Sequence, residues 1–157
     1  MAKEIERKFL LNLQKWKPIG KKVFIRQGYL SDDPERIVRV RISEKDGFLT
    51  IKDLSQGIIR NEYNYSIPLV DAEELLKLSI STPVEKFRYN VMKEEKLWEV
   101  DEFLGENRGL FLAEVELILE DENIDLPEWV GKEVSEDNRY YNSYLSKHPF
   151  SKWKIIS

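Results

Sequence analysis

Apolar and polar positions alternate with period two in short runs rich in β-branched and aromatic residues, and clusters of Gly, Pro, Asp and Ser break the runs. Successive side chains of a strand point to opposite faces, so this pattern predicts antiparallel strands joined by hairpins. The runs number about eight, at about 3–10, 22–30, 36–43, 48–54, 58–67, 84–93, 96–103 and 110–119. Turn signals lie between them at Ser31-Asp32-Asp33-Pro34, Lys45-Asp46-Gly47, Ser55-Gln56-Gly57 and Gly105-Glu106-Asn107-Arg108-Gly109. The spacing also predicts a short helix over 71–79, with Asp71 as cap, Glu74 three residues on, and Leu75, Leu76 and Leu78 as its apolar side. A second helix is expected over about 136–146, where Tyr140, Tyr141, Tyr144 and Leu145 recur at helical spacing before His148-Pro149. There is no internal repeat or linker, and the length suits one domain spanning 1–157.

Residues two apart share a face, which groups the ions. Glu4, Glu6 and Lys8 lie together, as do Arg39 with Arg41, Thr50 with Lys52, and Arg60 with Glu62 and Asn64. Lys86 aligns with Arg88, Glu99 with Asp101, and Glu114 with Glu116, while Arg26 stands alone in its strand. The opposite faces carry Ile5, Phe9, Val38, Val40, Ile42, Leu49, Ile51, Phe87, Trp98, Val100, Ala113, Val115 and Leu117. Two architectures satisfy this pattern: an open sheet with its charged face in water, or a closed barrel with the charges turned into a wet lumen.

Composition narrows the chemistry. The net charge is −4, from 25 basic and 29 acidic residues, which gives little support for long nucleic acid as a partner. Without cysteine there is no disulfide and no thiolate metal site, so a bound metal must use oxygen or the lone His148, which favours magnesium, manganese or calcium. No apolar run approaches the roughly 20 residues of a membrane span, and a cytoplasmic protein is expected. His148 has no partner motif and reads as a surface residue, and Trp16, Trp98, Trp129 and Trp153 read as packing elements.

The charged faces themselves are unusual for a merely solvated surface. Lys8, Arg26, Arg39, Arg41, Lys52, Arg60, Lys86 and Arg88 would suit a ligand with several phosphates, because guanidinium forks and ammonium charges match phosphate oxygens. Glu4, Glu6, Glu62, Glu99, Asp101, Glu114 and Glu116 repel one another unless a hard cation lies between them. Cations for phosphate and acids for metal make phosphoryl chemistry the natural reading.

At Glu4-Ile5-Glu6-Arg7-Lys8 the chain resembles the E-x-E-x-K signature of the CYTH superfamily, the triphosphate tunnel metalloenzymes. The resemblance continues in order through Ile25-Arg26-Gln27-Gly28-Tyr29-Leu30, Val38-Arg39-Val40-Arg41, Thr50-Ile51-Lys52, Arg60-Asn61-Glu62-Tyr63 and Glu85-Lys86-Phe87-Arg88-Tyr89. It then takes in Trp98-Glu99-Val100-Asp101 and Ala113-Glu114-Val115-Glu116-Leu117. Gly131-Lys132-Glu133-Val134 and Asp137-Asn138-Arg139-Tyr140-Tyr141-Asn142 resemble the tail of the small bacterial members, whose closing helix lies near one tunnel mouth.

The resemblance implies a mainly β fold: an eight-stranded antiparallel closed barrel with a charged lumen and flanking helices. It implies a metal-dependent triphosphatase that hydrolyses inorganic tripolyphosphate using magnesium or manganese. Lys8, Arg26, Arg39, Arg41, Lys52, Arg60, Lys86 and Arg88 become the substrate-binding set, and Glu4, Glu6 and Lys8 the catalytic set. Glu4, Glu6, Glu62, Glu114 and Glu116 become metal ligands, supported by Glu99 and Asp101. Small members often carry an acid where this chain has Asn64. Thiamine triphosphate and nucleoside triphosphates stay open as substrates. A class IV adenylate cyclase and a non-catalytic polyphosphate- or nucleotide-binding module are the alternatives. The apolar outer faces permit a homodimer.

Overall fold

A computed structural model describes residues 3–153. Nine strands form one sheet: β1 (Lys3–Leu11), β2 (Lys22–Ser31), β3 (Arg36–Ser43), β4 (Asp46–Asp53), β5 (Ile59–Ile67), β6 (Val84–Lys93), β7 (Lys96–Phe103), β8 (Phe111–Glu116) and β9 (Val130–Glu133). Their order is β5-β4-β3-β2-β6-β7-β8-β1-β9, with β5 also pairing β1. That extra pairing closes β1–β8 into an antiparallel barrel, which decides between the two architectures the alternation allowed. The seam is short, with Lys3, Glu4 and Ile5 opposite Asn61, Arg60 and Ile59. One edge of β1 runs along β8 from Glu6↔Glu116 to Leu10↔Leu112. Its other edge is divided, β5 taking the start and β9 pairing at Phe9 and Leu11. The short β9 has no counterpart among the sequence-based strands, since four residues with an internal Gly131 carry almost no periodicity.

The outside of the barrel is covered in two sectors. Over β2–β4 lies α1 (Leu69–Leu76), whose Ala72 and Leu76 pack on Val40 and Ile42 with Leu30, Leu49 and Ile67 around them. Its N-cap is Pro68 with no side-chain cap hydrogen bond, so the helix starts before the expected Asp71, which falls in its first turn. Two glycines let it seat: a Cβ on Gly28 would lie 2.0 Å from Ser79 Oγ, and one on Gly47 would lie 2.8 Å from Ala72 Cβ. The sector over β1 and β6–β8 is covered by loop residues instead of a helix. There Trp16 and Trp129 meet at 4.9 Å between ring centroids, and Trp129 packs edge-on to Trp98 at 5.7 Å. These tryptophans join Phe9, Tyr89, Val91, Val100, Ala113 and Val115 in the largest apolar cluster.

The second predicted helix is shorter than expected. A 3₁₀ turn at Asn138–Tyr140 precedes α2 (Asn142–Lys147). Neither lies flat on the outer wall. Leu145 of α2 packs with Val134 against Val84, Phe103, Leu110 and Leu112, with Leu10, Tyr140, Phe150 and Trp153 beside them. Leu10, Phe103 and Leu112 have the same strand parity as Lys8, Asp101 and Glu114, so this cluster is an apolar plug inside one end of the barrel. His148 is exposed and lies against the Tyr144 ring. No helix among the described residues is long and apolar enough to cross a membrane.

Candidate active site

Above the plug the inward faces are charged. They enclose a cavity of about 280 Å³ lined by Glu4, Glu6, Lys8, Arg39, Arg41, Lys52, Arg60, Glu62, Lys86, Arg88, Glu99, Glu114 and Glu116. A second space of about 260 Å³ shares Arg39, Arg41, Glu62, Arg88 and Glu99 and reaches Val23, Ser43, Phe48, Asn64 and Asn90 at the other end of the barrel. The two are parts of one lumen.

The acids fall into two groups. Oxygens of Glu6, Glu99 and Glu114 lie within 4.8 Å of one another, on β1, β7 and β8. The ladder puts them there, since Glu114 is opposite both Glu99 and Lys8, and Glu6 is opposite Glu116. Burial, followed by repulsion from Glu114 and Glu4, pushes the Glu6 carboxyl well above the usual range. Glu114 is buried too, yet Lys8 and Arg88 hold it well below that range. In the second group, burial and a hydrogen bond shared with Glu4 push Glu62 up to about 7. Burial opposes ionisation of Glu4 as well, but that same bond and Lys52 hold it lower. Lys52 Nζ lies 3.4 Å from Glu4 and 3.9 Å from Glu62. Glu116 stands at the rim, raised by burial and by Glu4 and Glu99.

Asp101 differs from the other acids. It is fully buried, and both of its oxygens are taken, by Arg88 Nε at 2.7 Å, Arg88 Nη2 at 2.9 Å and Lys86 Nζ at 2.8 Å. Its geometry is that of a clamp for two cations. Arg88 also donates to Glu99 at 3.0 Å.

The cations form the facing wall. Arg39 and Arg60 each keep a buried Nε with no hydrogen-bond partner among the described residues, an arrangement that an anionic ligand would relieve. Arg41 is disfavoured by burial and then by Arg39 and Arg88, and Lys86 is lowered to about 7 chiefly by its burial. Arg26 does not join them. β2 turns Gln27 and Tyr29 to the lumen, and Arg26 faces outward, half-exposed and 3.4 Å from Glu85. Gln27, Tyr29, Tyr141 and Asn142 line the cavity although charge reasoning passed over all four as site residues. Parity in β2 was the signal for Gln27 and Tyr29. The resemblance of residues 137–142 implied a tail near one tunnel mouth, but no local pattern singled out Asn142. Asn64 sits at the rim and accepts from Thr50 at 2.6 Å, while Thr50 in turn accepts from Arg39 at 3.1 Å.

A closed eight-stranded antiparallel barrel is the fold expected from the resemblance to the tunnel metalloenzymes. The CYTH domain family model matches residues 2–149. The chain belongs to the CYTH family. Among its CYTH relatives, an inorganic triphosphatase of Acetivibrio thermocellus is 47% identical over 155 residues, covering 98% of this chain and 99% of that protein. An inorganic triphosphatase of Nitrosomonas europaea is 38% identical, covering 91% and 96%. A crystal structure of an inorganic triphosphatase superposes with a TM-score of 0.64 at 37% identity, over 91% of this chain and 97% of that one. A protein of Pyrococcus horikoshii, at 22% identity and a TM-score of 0.59 over 75% of this chain and 80% of that one, shares the fold.

Proposed function

We propose that this chain is a metal-dependent inorganic triphosphatase that cleaves tripolyphosphate to diphosphate and phosphate. The observation that carries the proposal is the division of the lumen: cations with unpartnered buried N–H groups face acids that crowd within 4.8 Å. Support comes from the near full-length relatives named for that activity.

The acids fit a hard divalent ion. They offer only oxygen, and the raised Glu6 and Glu62 show how unfavourable their joint ionisation is without a positive charge. Glu6, Glu99 and Glu114 would hold the ion, and Glu4, Glu62 and Glu116, which line the same cavity, would hold its waters or a second ion. Magnesium or manganese bound there supplies neutralising charge to phosphate oxygens and orients water. The rest is done by the chain. Arg39, Arg41, Arg60, Lys52, Lys86 and Arg88 grip the phosphate oxygens and stabilise the negative charge that collects on the departing diphosphate. Lys8 stands at the junction of the two walls, its Nζ 4.0 Å from Glu114 and directed by the Tyr140 carbonyl at 3.1 Å. Water oxygen bonds to the terminal phosphorus as one of its O–H bonds breaks, the bridging P–O bond breaks with its electron pair leaving on the diphosphate, and the diphosphate takes up the released proton.

Phosphate release from tripolyphosphate, ATP and thiamine triphosphate, measured side by side with magnesium, manganese or chelator, tests the proposal. The expected result is metal-dependent release that is fastest from tripolyphosphate. Cyclic AMP formed from ATP, or tight binding with no turnover, would overturn it.

A further inference from the structure

The C-terminal segment does more than plug the barrel. Asn142, the first residue of α2, reaches the lumen, where its Oδ1 accepts from Lys86 Nζ at 2.8 Å and from Gln27 Nε2 at 3.1 Å. Gln27 is fully buried, and its Oε1 accepts from Arg41 Nε at 2.8 Å. One carboxamide from the tail is thereby linked to cations of β6 and β3. We propose that Asn142 is a positioning residue for substrate, fixing the Lys86 ammonium, and Arg41 through Gln27, in the orientation that meets a phosphate oxygen. The inference rests on the phosphate-gripping role given to Lys86 above.

Three observations support it. An ammonium has three N–H groups; Asp101 takes one of those of Lys86 and Asn142 a second, which leaves one for a ligand in the cavity that Lys86 lines. The acceptor is neutral. Asp101 already balances Lys86, and a second carboxylate at 142 would cancel the positive charge a phosphate needs, whereas an amide orients the ammonium and leaves that charge in place. The segment is also held rigidly. Leu145, one turn along α2, is buried in the plug, and the preceding Tyr141 ring lies 5.1 Å from Lys8 Nζ and 5.6 Å from the Arg60 guanidinium. A site group mounted on such a support keeps its geometry without cost at each turnover.

The test is a double-mutant cycle with tripolyphosphate as the probe. Asn142→Ala should lower kcat/KM by about 10- to 100-fold, the range for losing a hydrogen bond to a charged group, with the melting temperature little changed. Metal-free binding of tripolyphosphate, measured by calorimetry, should weaken in parallel. In a Lys86→Met background, Asn142→Ala should add less than about twofold, because the group it orients is gone. Asn142→Asp keeps the shape and the acceptor but should raise KM more than it lowers kcat. Full multiplication of the two single effects, or an Asn142→Ala enzyme within twofold of wild type, overturns the inference and leaves the triphosphatase proposal standing. A Lys86→Met enzyme of wild-type activity overturns the gripping role of Lys86, and the inference with it. If Asn142→Ala does not fold, the Asp variant decides, and an unchanged KM sinks the idea.

Discussion

The two ends of the lumen are built from the same strands and the same parity, yet one is wet and ionic and the other dry. Along β1 the inward residues run Glu4, Glu6, Lys8, Leu10; along β7 they run Glu99, Asp101, Phe103; along β8, read in reverse, Glu116, Glu114, Leu112. Each series ends in an apolar side chain at the level where Leu145 and Val134 enter. Alternation therefore selects a face of the wall, whereas polarity is set by depth in the barrel and by whatever closes that end. The apolar end anchors the tail, and the anchored tail places Tyr140, Tyr141 and Asn142 against the cations of the ionic end.

If the ionic end serves chemistry and the apolar end stability, substitutions in the two should separate. The largest effect is expected for Glu6→Gln and Glu114→Gln, with tripolyphosphate turnover falling at least about a hundredfold. Glu6→Gln should also melt no lower than wild type in the absence of metal, since a neutral amide there matches the protonated state that burial, Glu114 and Glu4 favour. A Glu6→Gln enzyme with full turnover at low metal would break the assignment. In the plug, Leu112→Ala or Leu145→Ala should cost about 2–5 kcal/mol in chemical denaturation, as cavities in packed cores do. Equal metal affinity in the folded fraction would sharpen the division.

pH provides a third probe. Glu62 has its folded pKa raised from the ordinary carboxylate value to about 7, so the stability it contributes is complete below its unfolded pKa and lost as pH rises through 7. Lys86, lowered to about 7, acts in the opposite sense above that pH, where the unfolded chain binds the extra proton. The metal-free protein should therefore lose melting temperature between about pH 5 and 7, and Glu62→Gln should flatten that fall. Added manganese should stabilise more at pH 7 than at pH 5, because its ligands must be deprotonated. An unaltered slope in Glu62→Gln would remove Glu62 as its source. The smallest effect belongs to the outer wall: Arg26→Ala should leave turnover within about twofold and stability within about 0.5 kcal/mol, as for other exposed ion pairs. A large loss of substrate affinity there would mean that β2 presents its other face to the lumen.

Arg26 also shows where sequence reasoning stops. In most strands the ions mark the inward face, and following them finds Glu4, Glu6, Arg39, Arg41, Lys86 and Glu114 at the cavity. In β2 the inward series is Val23, Ile25, Gln27 and Tyr29, which is neutral, so following the charge picks the outer face. Asp101 has the right parity, but what occupies its oxygens depends on Arg88 and Lys86 across the ladder, and cross-strand register is not written in one strand. Asn142 lay beyond reach for a further reason. It comes from a short helix that enters the barrel, and burial of that helix is a tertiary event with no local pattern. The hairpins within β2–β5 and within β6–β8 were legible, but the β2–β6 and β1–β8 pairings, and the β1–β5 seam that turns the sheet into a barrel, join segments with no hairpin between them.

That seam has a consequence for biosynthesis. β1 leaves the ribosome before the other strands, carrying Glu4, Glu6 and Lys8, but its neighbours are β5 and, later still, β8 and β9. The acids of the opening strand must wait, solvated, until the later strands arrive, and such distant pairing is slow to form. Glu4 is itself a seam residue, opposite Arg60, so the event that shuts the cylinder is also the one that brings the first acid and a phosphate-facing cation together. The acids of β1 thus join the rest of the cavity only after β5, β8 and β9 have been made.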